Sequence, residues 1–231
     1  MPGMVWGKVL RSPHAHALIK KIDTSKAEAL QGVLAVMTGA DLPTLPLDVP
    51  LPTGPNDIRW ISRGCMAQEK ILYVGHPIAA VAATSQEIAI AALDLIEVDY
   101  EVLPHVIDVD EAVAPGAPIL HDWIKTEGIE GPTNISNIMT VKTGDVEKGF
   151  GEADLVVERD FKSAAVHQGY LEPQSCVVSY KPDSQSTIWS SSQGQFMVRG
   201  LTATITGMAT GDIKAIPCLL YTSDAADDVA S

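Results

Sequence analysis

The sequence predicts an α+β fold, and three observations carry that prediction. Residues 70–104, KILYVGHPIAAVAATSQEIAIAALDLIEVDYEVLP, read as a strand, a helix and a strand in succession. Short strand-like runs precede this stretch. A hairpin pattern and then a helical one follow it in the second half.

Pro77 to Ala83 is a continuous apolar run without charge, the pattern of a strand buried on both faces. Thr84-Ser85-Gln86-Glu87 fits a capping box, with Thr84 as the N-cap and Glu87 reaching back. Ile88, Ala91, Ala92 and Leu95 recur at helical spacing and predict one packed face. From Val98 the period becomes two, and Val98, Tyr100 and Val102 describe a half-exposed strand stopped by Pro104. Together these pieces predict a β-α-β unit with partners on either side.

In the preceding residues, Val5 to Leu10 predicts a strand, interrupted by Arg11-Ser12-Pro13-His14 and resumed over Ala17 to Ile22. Thr24 is placed to cap a short helix over Ser25 to Leu30 that ends at Gly32. Val33 to Met37 predicts another strand. Gly39 to Gly64 is rich in Pro, Gly and Asp without a period, and predicts a long surface loop. Val106 to His121 reads as short pieces punctuated by Pro115, Gly116 and Pro118. The shift to Gly, Pro and polar residues over EGIEGPTN marks a domain boundary. Beyond it, strands are expected at Ile138 to Val141, Leu155 to Phe161, Cys176 to Tyr180 and Ser186 to Ser190. Helices are expected over Asp145 to Ala153 and from Gly194 to about Met208, the latter with Met197, Leu201, Ile205 and Met208 on one side.

The totals exclude some functions. The 231 residues suffice for one large or two ordinary domains, and 46% apolar residues suffice for a core. The formal charge of −13 argues against binding a nucleic-acid backbone. No apolar run reaches the roughly 20 residues of a membrane span. Cys65, Cys176 and Cys218 are far apart and form no CxxC, which predicts free buried thiols in a reducing, cytoplasmic compartment.

Few constellations carry chemistry by themselves. No GxGxxG, P-loop, HExxH or GxSxG is present. His14 and His16 would share a face if they lay on a strand, but two histidines without a third ligand read as solvated or packed side chains. His76, in a turn before a buried strand, predicts a structural hydrogen bond. His167 with Glu172 could form an acid-base pair, which a small hydrolase would use, and Glu172 serves a turn equally well. Gln193 stands between the hairpin strand and a helix N-terminus, where a side-chain amide beside free backbone amides can meet an acceptor or simply cap the helix.

Longer stretches carry a resemblance. GKVLRSPHAHALIKKIDTSKAEALQGVLAVMTGADLP resembles the start of the hammerhead domain in the molybdenum-binding large subunit of the xanthine dehydrogenase and aldehyde oxidase family. The similarity continues through Tyr73-Val74-Gly75-His76-Pro77, IEVDYEVLP, Gly116 to Asp122, GDVEKGFGEADLVVERDF, His167 to Pro173 and Ser190 to Gln193. The resemblance implies a hammerhead α/β domain over residues 1–127 and the first part of a molybdopterin-binding α+β domain over 134–216. It implies an oxidoreductase that hydroxylates a carbon of a purine, aldehyde or aromatic substrate with water as the oxygen source. The implied cofactors are a molybdopterin-type molybdenum cofactor here, and iron-sulfur clusters and FAD on partner subunits or domains. Gln193 matches the family glutamine that approaches the molybdenum centre. The catalytic glutamate and a GGGFGGKE-like loop are absent, so the chain is expected to be an inactive fragment of the enzyme. The alternative is a non-catalytic scaffold or interaction domain sharing the hammerhead fold. Residues 217–231 resemble a translated sequencing adapter found at the ends of metagenomic reading frames, and are expected to be a non-native tail.

Overall fold

The computed structural model describes residues 3–42, 59–122, 126, 128–167, 169 and 171–218. The chain divides into two compact units, Met1–Ile138 with Gly200–Thr210, and Met139–Arg199 with Gly211–Ser231.

In the first unit, β1 (Trp6–Arg11), β2 (Ala17–Asp23), α1 (Ser25–Glu28) and β3 (Val33–Thr38) follow the sequence pattern closely. Thr24 occupies the cap position of α1 without a side-chain cap bond. Asp23 supplies it instead, its Oδ1 accepting from the Ser25 amide at 3.1 Å. Gly32, at φ +96°, turns the chain into β3. A 3-10 turn over Gly39–Asp41 carries a capping box between Thr38 and Asp41. The predicted loop then gives way to α2 (Arg59–Cys65), a correction to the reading of Gly39 to Gly64; residues 43–58 lie outside the described ones. β4 (Lys70–Ile71) and β5 (Pro77–Ala83) come next.

The elements α3 (Gln86–Leu93) and β6 (Glu97–Val102) complete the predicted strand-helix-strand succession. It is not a β-α-β unit within one sheet. β5 is the centre of an antiparallel sheet ordered β1-β5-β3, whereas β6 is an edge of a second one ordered β4-β2-β6. The connection crosses between sheets because β6 pairs with β2, from Ala17↔Val102 to Asp23↔Glu97. Salt bridges Lys20–Glu101 and Lys26–Glu97 decorate this seam, but both are exposed and contribute little.

Two details of α3 differ from the prediction by one residue or two. Its N-cap is Ser85, not Thr84, with the Ser85 hydroxyl accepting from the Ile88 amide at 3.3 Å. Its buried residues are Ala89 and Ala92, and Ala91 is exposed. The rest of the expected face holds, with Ile88 and Leu95 partly buried against the same cluster as Ala92.

The core explains the uncharged sequence of β5. Ala79, Val81 and Ala83 cluster with Ala27 of α1 and with Ala89, Ala92 and Ile96 in and after α3. Ile78, on the other face, clusters with Ala17, Ala67 and Ile71. The strand is thus a wall shared by two apolar clusters. Fully buried side chains such as Ile78 and Val81 each contribute about 1.5–3 kcal/mol through burial.

Beyond β6, α4 (Val109–Ala112) is capped by Asp108, whose Oδ1 accepts from Asp110 and Glu111 amides. Asn134 then fastens the connecting chain. Its amide donates to Ala112 O at 2.8 Å and Pro118 O at 3.0 Å, and its Oδ1 accepts from the Leu120 amide at 3.0 Å.

The second unit contains α5 (Val146–Gly151), β7 (Cys176–Ser179), β8 (Ser186–Ser190), part of α6 (Gln195–Thr206) and β9 (Ile213–Pro217). β7 pairs with β8 antiparallel, and β9 with β8 parallel. The expected strands at Ile138 to Val141 and Leu155 to Phe161 do not form. Their apolar side chains lie open, Met139 at 84% and Phe161 at 93% exposure, because no neighbouring strand among the described residues offers them a ladder. On α6, Ala203 is the buried residue, whereas Met197, expected on a packed face, is 66% exposed. Of the expected 217–231 tail, Pro217 ends β9 and the Cys218 amide donates to Ser190 O at 2.9 Å; residues 219–231 lie outside the described ones.

Among the described glycines the closest approach is at Gly39, where an added Cβ would lie 2.1 Å from Ala67 O. We expect Gly39→Ala to destabilise the first unit by about 3 kcal/mol in urea unfolding. Gly7→Ala, where a Cβ meets nothing within 4 Å, should stay within about 0.5 kcal/mol of the parent.

Candidate cofactor-binding site

The corner from β8 to α6 is built from a serine run in which each residue has a different task. Ser190 closes β8, and its carbonyl accepts from the Ser192 and Cys218 amides, both at 2.9 Å. The Ser191 hydroxyl accepts from the Ser175 amide at 2.9 Å and donates to the Ser175 carbonyl at 3.1 Å, which fastens the corner to the chain entering β7. The Ser192 hydroxyl accepts from the Gly194 amide at 3.1 Å. Gly194 O then accepts from Val198 N at 2.9 Å and starts α6.

Gln193 sits exposed between these two anchored serine and glycine positions. Its amide is a neutral donor beside a helix whose first amides have no intrahelical partner. No ionisable side chain occurs from Ser190 to Gly194, so the corner is suited to holding an acceptor and not to moving protons. That donor set fits an oxo- or pterin-bearing group.

The other sequence candidates scatter. His14 and His16 lie in the connection before β2, not on a strand. His14 packs edge-on against Tyr100 at 4.8 Å, and buried His16 hydrogen-bonds through Nδ1 to Pro104 O at 2.6 Å. Among the described residues, no group of three or more His, Cys, Asp or Glu is placed to hold a metal ion. His76 is fully buried and makes structural hydrogen bonds, as expected. His167 is exposed and Glu172 half-buried, and His167 Nδ1 accepts from the Gly169 amide at 2.9 Å. The three cysteines are free but exposed, not buried. They fall at a helix end, an edge strand and the end of β9, where periodicity gave no hint of solvent contact.

Two structural contacts escaped the sequence reading. Ser191 and Ser175 are 16 residues apart, so their staple is visible only once β7 and β8 pair. Asn134 had a readable signal, an Asn in a Gly-Pro segment, but its partners at Ala112, Pro118 and Leu120 did not.

Residues 1–104 match the family described as aldehyde oxidase and xanthine dehydrogenase, a/b hammerhead domain. Residues 129–218 match the molybdopterin cofactor-binding domain, and this span contains the β8–α6 corner. The chain belongs to the xanthine dehydrogenase and aldehyde oxidase family of molybdenum-binding large subunits. Its fold is accordingly a hammerhead α/β domain followed by part of a molybdopterin-binding α+β domain.

Relatives of this family member include the carbon monoxide dehydrogenase large chain of Afipia carboxidovorans, 38% identical over 223 residues, covering 94% of this chain and 27% of the relative. The probable hypoxanthine oxidase XdhD of Escherichia coli is 34% identical over 237 residues, covering 90% of this chain and 24% of the relative. Subunit gamma of the 6-hydroxypseudooxynicotine dehydrogenase complex of Paenarthrobacter nicotinovorans is 30% identical, covering 79% of this chain and 22% of the relative. Among solved structures, reconstituted CO dehydrogenase from Oligotropha carboxidovorans superposes with a TM-score of 0.75 at 35% identity, covering 94% of this chain and 27% of that one. The aldehyde oxidoreductase from Desulfovibrio gigas gives 0.75 at 27% identity, covering 94% and 23%. The chain spans about a quarter of the length of the relatives named above. Among the described residues no helix is long and apolar enough to cross a membrane.

The Ser191–Ser175 staple is the feature that fixes the corner. Ser191→Ala should cost about 1–2 kcal/mol locally, read as faster amide exchange at Ser175 and Ser192. Ser184→Ala, in the exposed hairpin turn, should leave both amides unchanged.

Proposed function

We propose that the full-length protein is a molybdenum hydroxylase that inserts a water-derived oxygen at a carbon of a small purine, aldehyde or aromatic substrate. The single observation carrying this reading is the coincidence of the molybdopterin-domain match with a fixed, non-titrating donor corner at Gln193. The bound cofactor would supply the redox chemistry at the substrate carbon.

Gln193 would hold and orient that cofactor. An oxo group accepts hydrogen bonds, so its partner must donate. A neutral amide does so without a charge that burial would penalise. A strand end followed at once by a helix holds such a donor more closely than a loop tip. Electrons would leave through iron-sulfur and FAD-bearing partner subunits or domains. The relative described as one subunit of a dehydrogenase complex supports partners of this kind. Free thiols support a cytoplasmic location.

The same reading divides the chain into a hammerhead domain over 1–127, a cofactor-domain portion over 134–216 and a non-native tail over 217–231. The family matches ending at 104 and starting at 129 support the order of the two domains. The Asn134 bonds to residues 112–120 favour moving the start of the second one a few residues onward, toward Ile138.

The test is the unbroken gene expressed with its neighbours. The purified complex should contain molybdenum and pterin. Losing a hydrogen bond to a charged or strongly polar group costs about 1.5–3 kcal/mol. Gln193→Ala should therefore lower kcat roughly 10- to 100-fold and leave unfolding stability within about 0.5 kcal/mol. A complex without molybdenum, or a Gln193→Ala enzyme with full turnover, would overturn the assignment.

A further inference from the structure

Among the described residues, the first unit contains a corner built around a fully buried imidazole with both nitrogens committed. His76 is 0% exposed. Its Nδ1 accepts from the Leu72 amide at 3.2 Å, and its Nε2 lies 2.7 Å from the Arg63 carbonyl. An amide can only donate and a carbonyl can only accept, so the partners fix a neutral ring with the proton on Nε2. The His76 backbone is committed too. Its carbonyl accepts from Ser12 N at 2.9 Å and its amide donates to Tyr73 O at 3.1 Å. Gly75, at φ +84°, donates to Ser12 O at 2.8 Å, and Arg11 Nη1 donates to Gly75 O at 2.9 Å. The Tyr73 ring stacks on the imidazole at 4.4 Å and its hydroxyl donates to Gly64 O at 3.0 Å.

We propose that His76 is an acid-sensitive latch: its neutral ring ties the end of α2 to the Leu72–His76 turn, whose backbone in turn holds the β1–β2 connection at Ser12, and protonation opens this corner while the β1-β5-β3 sheet stays paired. A proton on Nδ1 would set two donors, Nδ1–H and the Leu72 N–H, against each other at hydrogen-bond distance. It would also place a charge where no solvent reaches. Relief requires the turn to leave the ring. The sheet has no such dependence, because its ladder is backbone pairing from Trp6↔Ala83 onward.

The charged and titratable groups around the ring do not rescue the imidazolium. Arg63 and Arg11 on the neighbouring segments are cations. Tyr73 is neutral, and burial pushes it up, with Cys65 beside it adding to the shift. From the 121–122 segment comes a second imidazole, His121, with Lys70 and Asp122 next to it. His76 and His121 each disfavour a charge on the other, and Asp122 is already paired with Lys70 at 3.1 Å. Desolvation holds His76 below the ordinary histidine range, against the smaller opposing pull of the Arg63 carbonyl. The sign follows. The open corner binds a proton at the ordinary histidine pKa and the closed corner only at lower pH. The latch is at full strength above that pKa and weakens as pH falls below it.

The experiment follows amide exchange by NMR in the 231-residue chain from pH 7.5 to 4.5, dividing each rate by the intrinsic rate at that pH. The opening constants of Leu72, Gly75 and Ser12 should rise about tenfold per pH unit below the histidine pKa, while those of Val9 and Val81 stay level. His76→Gln keeps one acceptor and one donor but cannot titrate, and should flatten the profile. His121→Gln should leave it in place. The proposal is overturned if His76→Gln shows the same rise, if His121→Gln abolishes it, or if the β5 amides open in step. Should His76→Gln fail to fold, the parent's His76 ring resonances decide. Proton uptake in step with Leu72 opening supports the latch, and ring titration with an unmoved Leu72 amide overturns it.

Discussion

The first unit depends on one constraint, that β5 is paired on both edges and packed on both faces. β1 and β3 occupy its edges, so every ladder position from Trp6↔Ala83 to Thr38↔Ala79 is satisfied inside the protein. Ala79, Val81 and Ala83 meet the helices, and Ile78 meets the cluster that includes β2 and β4. Small side chains are required on the helix side because Ala27, Ala89 and Ala92 bring backbones close there. A polar residue at Ile78, Ala79, Val81 or Ala83 would be stranded, which accounts for the absence of charge at these positions.

The second unit lacks such an element. Among the described residues, only Ile188 and Ile213 of its apolar side chains are buried, on β8 and β9. Leu155, Val156, Val157 and Phe161 have the β-branched and apolar character of a strand but remain 54–93% exposed. Burial is what converts that composition into a strand, since an unpaired extended segment gains neither a ladder nor a core. β8 has both, and its end is consequently the firm place in the unit. The serine run places that firmness next to Gln193.

The two sites discussed above use hydrogen bonding in opposite ways. At the β8–α6 corner the donor is neutral and exposed, and the work of fixing it falls to Ser191 and Ser192. At the His76 corner the polar group is itself the fastener, and full burial makes its protonation state matter. A glutamine is indifferent to pH in the physiological range and a histidine is not.

The sequence by itself determined the elements whose signal is local. Uninterrupted apolar character marked β5, alternation marked β6, the Thr84-Ser85-Gln86-Glu87 pattern marked the start of α3 with its cap one residue early, and the strand-like runs at Cys176 to Tyr180 and Ser186 to Ser190 marked the β7–β8 hairpin. The order of its motifs also identified the family. Tertiary structure decided what depends on distant partners. β6 joined β2 and not β5, because pairing register is a property of two strands. α3 buried Ala89 and left Ala91 exposed, because its packing against Ala27 and β5 decides which side is covered. Lys70–Ile71 is too short to read as a strand, and forms one only because Ala17 and Leu18 lie opposite. Gln193 was legible as a residue of interest, but the Ser175 contact that steadies its corner was not, since 16 residues separate the two serines and only the hairpin closes that gap.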